Sequence, residues 1–205
     1  MKMNVTSAAF GGVKVSTPRG TIAINAGGEL DEMDKFYLDP ASPLVAMVLT
    51  SVQERRSRHA AEFASRHGIP LIGSFLAFAA IHLHTPETWA VFLPRMVTIN
   101  GIRLDLFFVS GGPVSPAISP FALSVSVGDE SIGVVPDGRL NEKYMESVEK
   151  LRACGKIFFG NKIDRLAAVD SALRDHCRSC SNTSAELAEL FRDHRGEMIM
   201  DPNCP

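Results

Sequence analysis

The chain has 205 residues, 45% of them hydrophobic and 21% charged, so it can bury a sizeable core. Its net charge of −2 excludes a general electrostatic attraction to nucleic acid or to acidic membrane surfaces. The most apolar run, at 69–81, is too short to span a bilayer, and the first ten residues lack a signal-peptide pattern. We therefore expect a soluble, cytoplasmic protein.

The first third of the chain predicts a hairpin followed by a long helix. Two short alternating segments, 13–15 and 22–24, flank the turn residues Pro18 and Gly20. Ser42 and Pro43 then resemble a helix start, and Gly68 resembles a stop. Apolar residues between them recur at helical spacing, which predicts one helix of about 24 residues. The stripe consists of Val45, Val48, Leu49, Val52, Ala60, Phe63 and Ala64.

The segment 69–84 is ambiguous in its period, because a buried strand with a short helix and a single long strand both fit. Thr85 and Pro86 offer another helix start. Trp89 stands at helical spacing from Phe92 and Leu93, which favours a core position on that helix.

Asn100-Gly101 lies between two alternating apolar runs and predicts a two-residue hairpin turn. In that register Ile99 lies opposite Ile102, and Val97 lies opposite Leu104. A loop rich in Gly, Pro and Ser follows at 110–120. The run 121–127 and the segment after it predict a second hairpin.

From residue 139 to 195 the pattern becomes helical, interrupted by a short apolar strand at 156–159. The expected fold class is therefore α+β. We expect a largely antiparallel, hairpin-built sheet, packed by one long helix and by a C-terminal helical group. We expect a single domain over 1–205, with a boundary at 110–120 as the alternative.

The segment Phe158–Asp164, FFGNKID, and the later Thr183-Ser184-Ala185 resemble the guanine-binding signatures of Ras-like GTPases. The resemblance implies that Asp164 accepts hydrogen bonds from the guanine base and that Asn161 contacts the purine edge. However, no Gly-x-x-x-x-Gly-Lys-Ser/Thr phosphate loop occurs in the chain. Both motifs also fit helix starts, with Asn161 as an N-cap and Thr183 with Glu186 as a capping box. We interpret them as caps.

His82-Leu83-His84 is the first candidate metal site. On a strand, residues i and i+2 point to the same side, so both imidazoles can reach one ion. The pair resembles the zinc site of JAMM-type metalloproteases, which implies an upstream Glu, here Glu29, and a Ser-x-x-Asp soon after the histidines. This chain departs from that pattern, because its first Asp after His84 is Asp105, beyond a predicted helix and turn. The alternative is that the two histidines only end a strand.

Cys177 and Cys180 form a Cys-x-x-Cys pair directly after His176, with His194 and Cys204 further downstream. Four groups of this kind can form a structural zinc site, which is the second candidate. The chain has only one such pair, so packed, reduced thiols are the alternative. Without a secretion signal, we expect all four cysteines, which also include Cys154 and Cys204, to be reduced.

These patterns leave two functional hypotheses. The first is a binding or assembly protein that lacks a complete catalytic constellation and whose partner is a protein or a small ligand. The second is a zinc-dependent hydrolase that uses His82 and His84 with a carboxylate such as Glu29 or Asp105. The sequence does not decide whether the protein is an enzyme, and it sets no oligomeric state.

Overall fold

The structure is a computed structural model that describes residues 2–25, 27–50, 59–80, 88–91, 95–109, 120–136, 138–160 and 182–201. The strands are β1 Asn4–Ser7, β2 Val13–Thr17, β3 Gly20–Ile24, β4 Leu44–Leu49, β5 Leu71–Ser74, β6 Thr88–Val91, β7 Arg95–Ile99, β8 Ile102–Phe108, β9 Phe121–Val127, β10 Glu130–Val135, β11 Lys156–Phe159 and β12 Glu197–Met200. The helices are α1 Leu30–Tyr37, α2 Ala60–His67, α3 Phe75–Ala80, α4 Met145–Arg152 and α5 Ser184–Leu190. None of these described helices is long and apolar enough to cross a membrane.

The strands form two six-stranded sheets, and each sheet is mixed. Sheet A has the order β1 to β6, and sheet B has the order β12 to β7. In sheet A the first three strands are antiparallel, whereas β3 to β6 run parallel to one another. In sheet B the strands β7 to β10 are antiparallel, and β10 to β12 are parallel.

Three apolar clusters give the molecule four layers. The largest lies between the sheets and joins side chains such as Ile22 and Val48 of sheet A to Leu104 and Val134 of sheet B. The second joins the other face of sheet A to α1 and α2. The third joins the other face of sheet B to α4 and α5. Each sheet is therefore covered on one face by the opposite sheet and on the other by helices.

The predicted α+β fold, with one largely antiparallel sheet packed by a long helix and a C-terminal helical group, is wrong. The stretch expected to form the long helix contains strand β4 and the eight-residue helix α2, with 51–58 outside the described ranges. β4 reads LVAMVL, and its last four residues are buried. A strand covered on both faces is a continuous apolar run, and such a run also contains positions at helical spacing.

The C-terminal helical group is also interrupted by sheet. β12 lies next to β11 at the edge of sheet B, and it was not expected from the sequence. The strand at 156–159 and the capping box before α5 are confirmed. Thr183 Oγ1 accepts from the Glu186 N–H at 3.2 Å, and Glu186 Oε2 accepts from the Thr183 N–H at 2.8 Å. Asn161, the other expected cap, lies outside the described residues.

The predicted hairpins are confirmed. Val97 pairs with Leu104 and Ile99 with Ile102, around a turn in which Asn100 and Gly101 have φ of 48° and 73°. β2 pairs with β3, and β9 pairs with β10. For 71–80, the strand-then-helix alternative is correct. The helix expected around Trp89 is wrong, because this residue lies in β6 opposite Ile72.

Candidate functional site

The ends of several strands from both sheets meet at one edge of the molecule, which we call the carboxyl edge. β3, β4 and β5 end there in sheet A, and β10, β11 and β12 end there in sheet B. Hydrogen bonds between described residues join the sheets at this edge. The Phe121 N–H donates to the Thr50 carbonyl at 3.2 Å, and Ser7 Oγ donates to Asp201 Oδ1 at 2.7 Å. Loops at the carboxyl ends of parallel strands are the usual place for a ligand site.

Asn25 and Thr50 form a buried polar pair at the carboxyl edge, one residue after β3 and β4 respectively. Asn25 Oδ1 accepts from the Thr50 N–H at 3.1 Å and from Thr50 Oγ1 at 3.0 Å. Both residues are at most 1% exposed. Asn25 has φ of 64°, a conformation that residues other than glycine adopt at a cost. The side chain of Tyr37 supports the turn, with its hydroxyl 2.8 Å from the carbonyls of Ile24 and Asn25.

Glu29 and His59 lie at the first turns of α1 and α2, the helices that follow β3 and β4. Each is the N-cap of its helix. His59 Nε2 lies 3.6 Å from Glu29 Oε2, and His59 Nδ1 lies 3.6 Å from Glu62 Oε2. At 3.6 Å neither contact is a hydrogen bond. Nε2 of His59 is buried and has no hydrogen-bond partner in the described part of the molecule.

The candidate ligands from the sequence fall in three places. His82, His84, Cys177 and Cys180 all lie outside the described residues. Glu29 lies at the carboxyl edge. Asp105 does not, because it lies within β8 and binds Arg103 through two contacts of 2.8 and 3.0 Å. These hydrogen bonds raise the pKa of Arg103. Of the two carboxylates that the zinc hypothesis offered as alternatives, the structure thus places only Glu29 at the carboxyl edge.

His59 and Asn25 were missed by the sequence reasoning. His59 fell within the expected long helix but outside its apolar stripe, so it carried no functional signal. The structure makes it a helix N-cap at a strand-to-helix connection. Asn25 follows a fully buried strand and precedes Gly27-Gly28. An asparagine at that point of a chain is a turn signal, but its hydrogen bonds depend on Thr50 of the neighbouring strand.

Among the described residues, no group of three or more His, Cys, Asp or Glu side chains is arranged to hold a metal ion. In the described part of the chain, the carboxyl edge carries His59 with the carboxylates of Glu29 and Glu62, the carboxylate of Asp201, and the neutral pair of Asn25 and Thr50. The described cysteine, Cys154, is free and buried, and it belongs to the cluster on the outer face of sheet B.

No family model matches the sequence, and no curated protein matches it. Solved structures do. The Zn²⁺-bound PqqB from Methylobacterium extorquens has a TM-score of 0.58 at 14% identity, over 74% of this chain and 60% of that chain. The metallo-β-lactamase fold protein YhfI from Bacillus subtilis has a TM-score of 0.63 at 12% identity, over 95% of this chain and 90% of that one.

This chain has the metallo-β-lactamase fold. A third structure agrees: that of a possible metal-dependent hydrolase from Veillonella parvula DSM 2008. It has a TM-score of 0.67 at 12% identity, over 98% of this chain and 85% of that one. The fold has two mixed sheets and few helices, whereas one largely antiparallel sheet was expected.

The comparisons also correct the first functional hypothesis. A binding or assembly protein without catalytic chemistry was expected because no complete catalytic motif is visible in the sequence. The solved structures that this chain resembles include a Zn²⁺-bound protein, a metallo hydrolase and a possible metal-dependent hydrolase, which contradicts that interpretation and favours its alternative. A sequence shows only motifs of residues that are close together in the chain. The fold brings together residues that are far apart in the chain, and such a site leaves no local motif.

Proposed function

We propose that this chain is a metal-dependent hydrolase of small-molecule substrates, with zinc held at the carboxyl edge by His59 and Glu29. The observation that carries the proposal is the buried Nε2 of His59, which has no hydrogen-bond partner in the described ranges and lies 3.6 Å from a carboxylate oxygen. A buried nitrogen with an unused lone pair or proton is costly, so it calls for an explanation.

The distance between His59 Nε2 and Glu29 Oε2 fits two atoms that bind one ion better than it fits a direct hydrogen bond. A hydrogen bond between an imidazole nitrogen and a carboxylate oxygen is about 2.7–2.9 Å long. Two ligand atoms that are each about 2.1 Å from one tetrahedral zinc ion lie about 3.4 Å apart. The observed 3.6 Å is close to the second value. The pair therefore fits two of the positions around such an ion.

Each residue of the group has a role in this proposal. His59 and Glu29 would hold the metal through Nε2 and Oε2. Glu62, one helical turn after His59, faces Nδ1 at 3.6 Å and would favour the tautomer that leaves Nε2 free to bind. Zinc, when bound, would supply a Lewis acid that polarises the scissile group and acidifies water. Asn25 and Thr50 would form the neutral, buried floor of the site.

The remaining ligands of the proposed site would come from residues outside the described ranges. His82 with His84, and Cys177 with Cys180, stay the proposed candidates, because histidine and cysteine are common zinc ligands.

Metal analysis of purified variants tests the proposal. We expect about one zinc per chain in the wild-type protein, and loss of that zinc in His59→Gln. His194→Gln is a matched control, because Nε2 of His194 is also buried without a hydrogen-bond partner among the described residues, while its Nδ1 contacts the Arg152 carbonyl. Zinc retained in His59→Gln but lost in His82→Ala, His84→Ala or Cys177→Ser would contradict the assignment of the site.

Activity provides the second arm of the experiment. Zinc-loaded protein should hydrolyse at least one activated substrate from a set of p-nitrophenyl acetate, bis(p-nitrophenyl) phosphate and a chromogenic β-lactam. We expect this turnover to disappear with a chelator and in His59→Gln, and to persist in His194→Gln. A zinc-loaded protein that hydrolyses none of the three faster than free zinc would contradict the proposed function.

A further inference from the structure

One face of α2 lies against α1. His59, Phe63 and His67 follow one another at four-residue spacing, which places them on the same side of α2. His59 Nε2 lies 3.6 Å from Oε2 of Glu29, at the start of α1. The ring of Phe63 lies 5.7 Å from the ring of Tyr37, in the last turn of α1. The face of α2 that carries the proposed zinc ligand is therefore the face that packs on α1.

The contact at the far end of α2 is centred on the carboxylate of Asp34, in the last turn of α1. Asp34 Oδ1 lies 2.7 Å from His67 Nε2, and Asp34 Oδ2 lies 3.2 Å from Arg66 Nη1. An ionised carboxylate only accepts hydrogen bonds, so His67 donates its Nε2 proton. The ring of His67 also packs on Phe63 at 4.7 Å and is largely buried, whereas Arg66 is exposed. The Asp34–His67 bond is therefore the better fixed of the two contacts.

The rotation of α2 about its own axis determines where His59 Nε2 lies. A rotation of about 20° moves an atom that lies about 5–6 Å from the helix axis by about 2 Å. A functional site holds its groups to within about 0.5 Å. Ala60, Phe63 and Ala64 are buried in the apolar cluster between α2, α1 and sheet A, but apolar contact has no preferred direction. A hydrogen bond at the opposite end of α2 supplies a directional contact.

We propose that Asp34 is a positioning residue, which holds α2 against α1 in the rotation that brings His59 Nε2 to Glu29 Oε2. It acts through its hydrogen bond to His67, and neither residue is a ligand of the proposed ion. The effect of Asp34 on zinc binding rests on the proposed function, whereas its effect on the placement of His59 does not. The two effects can therefore be measured separately.

Nuclear magnetic resonance of the metal-free protein tests the placement of His59. The imidazole signals of His59 are assigned as those that disappear in His59→Gln. Asp34→Ala removes the acceptor, and His67→Phe removes the donor but keeps a ring against Phe63. We expect the His59 signals to shift in both variants. They should stay in place in Thr183→Ala, which removes the cap of α5 and is the control for a general loss of stability. Unchanged His59 signals in Asp34→Ala and His67→Phe would overturn the inference.

Zinc titration of the same variants tests the consequence for the site. We expect at least tenfold weaker zinc binding in Asp34→Ala and in His67→Phe, with no further loss in the double variant, because both substitutions break the same bond. Asp34→Glu keeps an acceptor and should recover most of the affinity. Thr183→Ala should bind zinc as tightly as the wild-type protein does. If one of the two single variants does not fold, the other suffices.

Zinc bound at His59 with an affinity within twofold of wild type in both single variants would overturn the inference. An equal loss of affinity in Thr183→Ala would also overturn it, because the effect would then follow from lower stability alone. Failure of the proposed function has a different signature, since the wild-type protein would then bind no zinc at His59. In that case the signals of the metal-free protein decide whether Asp34 positions His59.

Discussion

Two side chains at the carboxyl edge, Asn25 and His59, each have a buried nitrogen without a hydrogen-bond partner in the described structure. Neither nitrogen is explained by packing, since Asn25 is already fixed by Thr50 and His59 lies at a helix start. The proposed zinc ion would use the unpartnered nitrogen of His59.

Cys154 is expected to be chemically inert in the folded protein. Burial raises the pKa of its thiol to about 11, so the reactive thiolate is scarce at pH 8. Iodoacetamide at pH 8 should therefore leave Cys154 unmodified in native protein and modify it in urea, as measured by peptide mass spectrometry. Rapid modification in the native state would contradict this expectation.

The same shift predicts how Cys154 contributes to the pH dependence of stability. The pKa is higher in the folded state than in the unfolded state, so the unfolded chain binds fewer protons between about pH 9 and 11. The free energy of unfolding should fall as pH rises through this window. In urea unfolding at pH 8 and pH 10.5, the decrease in the free energy of unfolding should be smaller for Cys154→Ala than for the wild-type protein. An identical decrease in both proteins would rule out this role.

The capping box at α5 gives a prediction for a single hydroxyl. Thr183→Ala removes the acceptor for the Glu186 N–H and should lower the free energy of unfolding by about 1 kcal/mol. Thr183→Ser keeps the hydroxyl and should change stability by much less. Equal effects of the two substitutions in urea unfolding would show that the cap does not stabilise α5.

At the scale of the element, the β7–β8 hairpin depends on its two-residue turn. Gly101 has φ of 73°, where a Cβ atom is disfavoured. Gly101→Ala should destabilise the protein by about 1–2 kcal/mol. Gly155→Ala is the control, because no positive φ is present there and an added Cβ would meet only the Ser131 carbonyl oxygen at 3.6 Å. A larger loss for Gly155→Ala in thermal unfolding would contradict the turn argument.

The elements that the sequence predicted are those set by local chemistry. The Asn100-Gly101 turn determines the register of its hairpin, and Thr183 with Glu186 determines the start of α5. β4 and β6 were assigned to helices, because their patterns depend on burial by a partner sheet and by helices distant in sequence. An apolar run that is covered on both faces has no period that distinguishes strand from helix.

At the scale of the whole molecule, stability should come mainly from the apolar layer between the sheets. Leu104 is fully buried in that layer. Leu104→Ala should lower the free energy of unfolding by about 2–5 kcal/mol, through lost burial and the cavity left behind. Met96→Ala, on the adjacent edge strand and 53% exposed, should cost about 0.5 kcal/mol or less. Similar losses for both variants would contradict this arrangement of the core.

Several strands and turns were predictable from the sequence, but neither the fold class nor the described part of the candidate site was. Asn25, Glu29 and His59 lie on segments that follow two different strands, and only the parallel pairing of β3 with β4 brings them to one edge. Glu29 was considered only as a partner of distant histidines. No spacing rule connects positions whose proximity results from a crossover between parallel strands.

The central claim is that His59 and Glu29 bind zinc at the carboxyl edge. Anomalous diffraction at the zinc absorption edge, from a crystal of the zinc-loaded protein, tests it most directly. We expect an anomalous peak about 2.0–2.2 Å from both His59 Nε2 and Glu29 Oε2. A crystal with zinc elsewhere and none between these two atoms would contradict it.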